Sequence, residues 1–294
     1  MKRIVQFAAV LLLAGSISAC QSSGGSGSAE QGDSTQDSVT ADALGWKMGV
    51  QAYTFRNFSF FEAVDKTKSL GLHYIEGFPG QKIGGGLEGT LDFKMDAAAQ
   101  QKVLDYLKQQ DVKMMAYGVI TPETPEDWKK LFDFARNMGI ENIVSEPKPE
   151  HMDLVSQLCD QYSINVAIHN HPAPSHYWSP DTLLAAIQGK SKRIGSCADV
   201  GHWIRSGLDP VECLKKLEGR IIESHFKDVS AREPKAEDTI WGTGVCNLPA
   251  MLEELHRQHF QGLFSIEYES HPEDNIPQIR ESLQHFDQAL ANLK

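Results

Sequence analysis

The side chains that could do chemistry sit in short clusters at the ends of apolar runs. The densest is Ser196-Cys197-Ala198-Asp199-Val200-Gly201-His202-Trp203. Small and apolar residues lead into an acid, a glycine lets the backbone turn, and an imidazole follows three residues after the acid. A carboxylate beside an imidazole suits metal binding or proton transfer. The same kinds of group recur at Glu76, at Glu146, in His169-Asn170-His171, in His225 with Lys227 and Asp228, and in Glu267 with Glu269. Residues two apart on a strand share a face, so His169/His171, His225/Lys227 and Glu267/Glu269 each direct both members to one side. Acids brought together raise one another's pKa unless a cation joins them. A divalent ion meets that need, and mixed carboxylate and imidazole donors suit Mn2+, Zn2+, Co2+ or Mg2+ better than calcium.

These groups need a scaffold that brings strand ends together. Apolar runs at residues 48–53, 73–76, 112–117, 142–145, 165–168, 194–199, 221–226 and 263–266 alternate with helical patterns at 60–70, 97–110, from Thr124, 152–162, 180–187, 209–217, 248–256 and 276–293. Thr124-Pro125-Glu126-Asp127 opens its helix with a cap, a proline and acids at the positive end of the dipole. Strands alternating with helices over about 250 residues predict an α/β fold, a single (β/α)8 TIM barrel, whose functional groups collect at the C-terminal ends of the strands. A doubly wound open sheet is the runner-up, but no glycine-rich phosphate loop follows the first strand, which runs into Thr54-Phe55-Arg56. Gly84-Gly85-Gly86 lies in a long loop after the second strand and reads as a mobile flap over the mouth.

The chain of 294 residues has a net charge of -11, which opposes a nucleic-acid partner. At the N-terminus Lys2 and Arg3 precede an apolar run from Ile4 to Ala14, too short to span a bilayer. Ile17-Ser18-Ala19-Cys20 then resembles the lipobox of bacterial lipoproteins. The expected organisation is a signal peptide at 1–19, a lipidated Cys20 and flexible linker at 20–43, and the barrel at 44–294. The linker is rich in Ser, Gly, Gln and Asp and holds too little apolar surface to fold. The expected location is the periplasmic face, at the outer membrane, because Gln21 rather than aspartate follows Cys20. The remaining cysteines, at 159, 197, 213 and 246, are scattered and signal neither a disulfide framework nor a zinc knuckle.

Taken together, VAIHNHP (166–172), CADVGHW (197–203), SHFKD (224–228), WGTG (241–244) and SIEYE (265–269) resemble the xylose-isomerase-like barrel superfamily of sugar isomerases, epimerases, inosose dehydratases and an apurinic-site endonuclease. The resemblance implies one divalent ion held by a glutamate on strand five, an acid on strand six, a histidine on strand seven and a glutamate on strand eight. Asp199, His225 and Glu267 match. His169 stands where many relatives carry the strand-five glutamate, and Glu146 offers a carboxylate one strand earlier, so the fourth ligand stays open between them. This departure also removes half of the glutamate pair that epimerases use for proton transfer.

The leading expectation is an exported isomerase or epimerase of a free sugar, keto-sugar or polyol, acting by proton abstraction beside a metal-held carbonyl. His171 and His202 are the candidate bases, with Lys227 or Glu269 assisting. Glu76, Trp178, Trp203 and Trp241 are expected to contact the carbohydrate. A dehydratase, lyase or keto-sugar glycoside hydrolase on the same barrel is an alternative, as is a sugar-binding lipoprotein without turnover. Charge and export both oppose an endonuclease, and the early strands lack the further metal ligands it would need.

Overall fold

The expected strands form a closed parallel barrel because each is apolar on both faces, one turned to the barrel interior and the other to the helices. The computed structural model describes residues 39–293. The signal segment, Cys20 and most of the expected linker lie outside the described residues. The barrel strands are β1 (Lys47–Gln51), β2 (Tyr74–Gly77), β3 (Lys113–Tyr117), β4 (Asn142–Ser145), β5 (Asn165–His169), β6 (Ile194–Cys197), β7 (Ile221–Phe226) and β8 (Leu263–Ile266). Each pairs with its neighbours in chain order, and β1 closes the ring on β8 with Lys47 opposite Leu263 and Val50 opposite Ile266.

The helices are α1 (Phe60–Ser69), α2 (Ala97–Gln110), α3 (Pro125–Met138), α4 (Met152–Tyr162), α5 (Pro180–Ala186), α6 (Val200–Arg205), α7 (Pro210–Lys216), α8 (Leu248–Arg257) and α9 (Ile276–Leu290). Ser59 and Glu62 make a reciprocal capping box at α1, and Thr124 caps α3 through the Asp127 N–H. Along α3, Trp128, Leu131, Phe132, Ala135 and Met138 recur at helical spacing and are buried. An aromatic group of Trp46, Phe226, Trp241, Phe264 and Phe286 binds α9 to β7 and β8, with the Trp46 and Phe264 rings 5.0 Å apart. Inside the ring, Met115, Val144, Ala167, Cys197 and Leu263 form a second apolar cluster. The next inward positions on β5 to β8 carry the polar groups.

Two local readings change. Gly84–Gly86 belongs to an antiparallel hairpin of Lys82–Gly84 and Leu87–Thr90, not a flap without secondary structure. Positive φ at all three glycines makes the tight reversal, and a Cβ on Gly85 would come within 2.7 Å of the Phe61 ring. The segment after Asp199 is helix α6, so Gly201 lies inside a helix and does not serve as the turn residue. Among the described residues Cys159, Cys197, Cys213 and Cys246 are buried and unpaired.

Candidate active site

β5 ends in His169, Asp199 follows β6 by two residues, His225 is inside β7, and Glu267 follows β8. All four are buried, and one ligand-type atom from each lies within 4.8 Å of the others. His169 Nε2 and His225 Nδ1 have no hydrogen-bond partner, and Asp199 Oδ2 meets the Lys227 ammonium at 2.9 Å. His169 Nε2 is 3.5 Å from Asp199 Oδ2, and His225 Nδ1 is 3.2 Å from Glu267 Oε2. A buried polar atom left unsatisfied costs about 1–3 kcal/mol, so two imidazole nitrogens left so beside two carboxylates are an expensive arrangement for a structural core. A divalent cation would satisfy all of them, and two imidazoles with two carboxylates are a donor set that such ions accept. The cluster fits a metal ion.

The free atoms are free because other bonds hold the rest of each side chain. Asp199 Oδ1 accepts the His202 N–H at 2.7 Å and caps α6, which leaves Oδ2 for the cluster. The Asn170 amide clamps the Asp199 backbone from both sides, at 2.9 Å each. His225 Nε2 donates to Glu76 at 2.9 Å, so Nδ1 faces the cluster. Glu76 also accepts from Gln51 Nε2 at 2.8 Å and Ser265 Oγ at 2.7 Å. Glu146 Oε1 stands 3.3 Å from His169 Nδ1, turning Nε2 inward. Glu146 also holds the His171 ring at Nδ1 and accepts from Ser175 Oγ at 2.8 Å. Burial works against a charged Glu146, yet bonds from His169 and His171 hold its carboxyl well below the usual range.

Several expectations change here. Glu76, expected on the carbohydrate wall, is fully buried and orients His225. His169 belongs to the four-residue cluster, while Glu146 forms a separate possible ligand group with His169 and His171 and also accepts from Ser175. Trp203 and Trp241 are buried in the outer core, where aromatic packing claims them, and Trp178 forms no part of the cavity wall. Lys227 does not line the cavity either. Its ammonium lies 2.9 Å from Asp199 Oδ2, 2.6 Å from Glu267 Oε2 and 3.2 Å from Glu269 Oε1. Burial disfavours its charge, but those acids push its pKa well up, while burial alone would raise the Asp199 carboxyl that His202 and Lys227 hold well down. The stem of Lys227 crosses α6 at Gly201, where a Cβ would meet its Cγ and Cδ at 2.6 Å.

A cavity of about 470 Å3 opens above the cluster. Its walls include Gln51, Tyr53, Phe78, His171, His202 and Glu269. Two imidazoles on its wall, the exposed His171 and the largely buried His202, have opposite hydrogen-bonding polarity. His171 gives Nδ1 to Glu146, and its Nε2 bonds to no described residue, leaving an acceptor for the cavity. His202 Nδ1 receives Arg205 Nη1–H at 3.0 Å. A guanidinium only donates, so the His202 proton sits on Nε2, which lines the cavity 3.6 Å from Asp199 Oδ2. Burial, with the charges of Lys227 and His169, holds the His202 pKa well below its ordinary value against the pull of Asp199. Arg205 thus occupies the ring nitrogen lone pair that His202 would need to act as the base suggested by the sequence. Arg205 is fixed in turn by Asp238 at 2.5 Å and the Ala236 carbonyl at 2.9 Å.

Sequence reasoning missed Arg205, Gln51, Ser265, Asn170 and Ser175. Arg205 carried a signal, since i and i+3 share a helix face and it stands three after His202. Gln51 and Ser265 carried none, because each reaches Glu76 from another strand.

A parallel eight-stranded barrel with carboxylates and imidazoles gathered at the C-terminal mouth is the architecture of metal-dependent barrel enzymes. Residues 64–289 match the Xylose isomerase-like TIM barrel family, and the chain belongs to it. It is 24% identical over 205 residues to the inosose dehydratase of Mesomycoplasma hyopneumoniae (strain 7448), covering 63% of this chain and 67% of that one. An uncharacterized protein from Parabacteroides distasonis ATCC 8503 is 38% identical, with a TM-score of 0.69 over 83% of this chain and 99% of that one. The IOLI protein, solved with a zinc atom, shares the fold at 16% identity, with a TM-score of 0.64 over 82% of this chain and 98% of the other.

Proposed function

We propose that the protein is a metal-dependent lyase that removes water from an uncharged keto-polyol or keto-sugar by proton abstraction beside the carbonyl. His169, Asp199, His225 and Glu267 would hold a divalent ion, whose charge favours enolisation of a neighbouring ketone. The observation that carries the reading is the opposed polarity of His171 and His202 over a cluster of unpartnered buried donors. His171 Nε2 takes the proton from the carbon next to the carbonyl, and Glu146 stabilises the imidazolium that forms. The C–O bond at the next carbon breaks as the C=C bond forms. His171 returns its proton to the departing hydroxide, so water leaves and the ring ends neutral. His202 Nε2–H donates a hydrogen bond to the oxygen that gains charge and does not itself lose a proton.

Epimerisation asks for matched groups that each exchange a proton, whereas this site pairs one acceptor with one fixed donor. The similarity to an inosose dehydratase supports elimination. The cavity wall carries Glu267 and Glu269 but no arginine or lysine, which favours an uncharged substrate over a phosphate or carboxylate. We also propose that the protein is exported and anchored through Cys20, a reading that rests on the Ile17–Cys20 tetrapeptide.

The test is incubation of the Mn2+-, Co2+- or Zn2+-loaded protein with an inosose in D2O. The expected product has lost water and absorbs as an unsaturated ketone, and His171→Asn lowers the rate at least about 100-fold. Deuterium exchange without loss of water would instead identify an isomerase or epimerase. Asp199→Asn is expected to lose the bound metal by elemental analysis, and retained metal would remove it from the ligand set.

A further inference from the structure

A second cavity, of about 710 Å3, adjoins the first. Tyr53 and Phe78 line both, so one aromatic pair is the partition between them. Their rings meet edge to face at 5.3 Å, and Tyr53 is the one large hydrophobic side chain left exposed among the described residues. It is held in place: the Arg56 guanidinium lies 4.9 Å from its ring centroid and donates to the Glu269 carbonyl at 2.7 Å. The outer cavity also has a buried polar wall. Gln81 is 3% exposed, and its Nε2 donates to the Phe58 carbonyl at 3.1 Å and the Phe55 carbonyl at 3.4 Å. Those two bonds fix the amide, and Gln81 Oε1 is left without any partner. Asn57 and Lys82 add polar groups at the outer edge.

We infer that the outer cavity is a second sugar subsite, so the substrate is a glycoside or disaccharide-sized carbohydrate whose reacting ring lies over the metal cluster and whose other ring lies beyond Tyr53 and Phe78. An aromatic face beside hydrogen-bonding groups suits a sugar ring, which has an apolar face and a hydroxyl edge. Exposed Asn57 and Lys82 on this wall offer hydrogen-bonding groups to the hydroxyls of the second ring, and the absence of a continuous apolar lining disfavours a lipid or peptide tail. The inference rests on the reading of the inner cavity as a carbohydrate site.

The test is calorimetric binding of glucose, maltose, cellobiose and trehalose to the metal-loaded full chain. One stacking contact and one hydrogen bond predict that at least one disaccharide binds about tenfold tighter than glucose. Asn57→Ala combined with Lys82→Ala, at exposed positions absent from the inner wall, should bring that disaccharide to within about twofold of glucose and leave glucose binding unchanged. Tyr53→Ala, at an exposed position, should weaken both. Equal binding of glucose and every disaccharide would overturn the inference, as would equal weakening of both by the Asn57→Ala, Lys82→Ala variant. Because binding is read without turnover, preferential disaccharide binding by a protein that eliminates no water would count against the lyase reading and leave the subsite standing.

Discussion

The Glu76 carboxyl decides which nitrogen His225 offers. A ligating imidazole usually has its second nitrogen tied to an oxygen, and losing that tie typically costs about 10–100-fold in metal affinity. Glu76→Ala is therefore expected to weaken Zn2+ binding by about that factor, measured by competition with a chromophoric chelator, while every ligand residue stays in place. One layer deeper, Glu223 accepts from Asn142 Nδ2 at 2.6 Å, and its other oxygen has no partner. Burial and the neighbouring Glu76 push its pKa up to about 8. In the unfolded chain it titrates near 4.3. Between those values the folded protein keeps a proton that the unfolded chain releases, so its contribution to stability falls as pH rises from about 4.3 towards 8. Glu223→Gln should remove this slope. Melting temperatures at pH 6 and pH 8 should separate least in the variant, and an equal separation in the parent would refute the assignment.

At the level of elements, α6 does two jobs for the site: its N-terminus takes one oxygen of Asp199, and its face at Gly201 makes room for Lys227. Gly201→Ala sets two effects against each other. Helix propensity gains about 1 kcal/mol. Overpacking against a buried lysine stem costs about 1–3 kcal/mol. The balance predicts a net loss of up to about 2 kcal/mol in urea unfolding, and a stabilised variant would show that the Lys227 stem yields easily. The strands were readable because apolar runs bounded by turns leave few alternatives, and β4 and β8 were predicted residue for residue at 142–145 and 263–266. The convergence of Asp199, His225 and Glu267 was readable because their strand-end motifs resemble those of the barrel family. The orientation of the rings was not readable, since it depends on partners such as Glu76 and His225, 149 residues apart. The tryptophans misled because an aromatic beside a site motif has the same appearance in sequence whether it faces a ligand or the core.

For the whole molecule, the proposed lipid anchor at Cys20 would set where the barrel works. Cys20→Ser should move the protein from the membrane pellet to the soluble fraction, and persistence in the pellet would refute lipid anchoring. Within the barrel, the chain divides its labour between halves. β2 and β4 end in Glu76 and Glu146, the carboxylates that turn the rings, whereas every residue of the four-membered cluster comes from β5 to β8 or the positions just after them. The N-terminal half can therefore act as a tuner and the C-terminal half as the receiver: substitutions confined to the first four strands can reset how strongly an ion is held without changing a single donor atom.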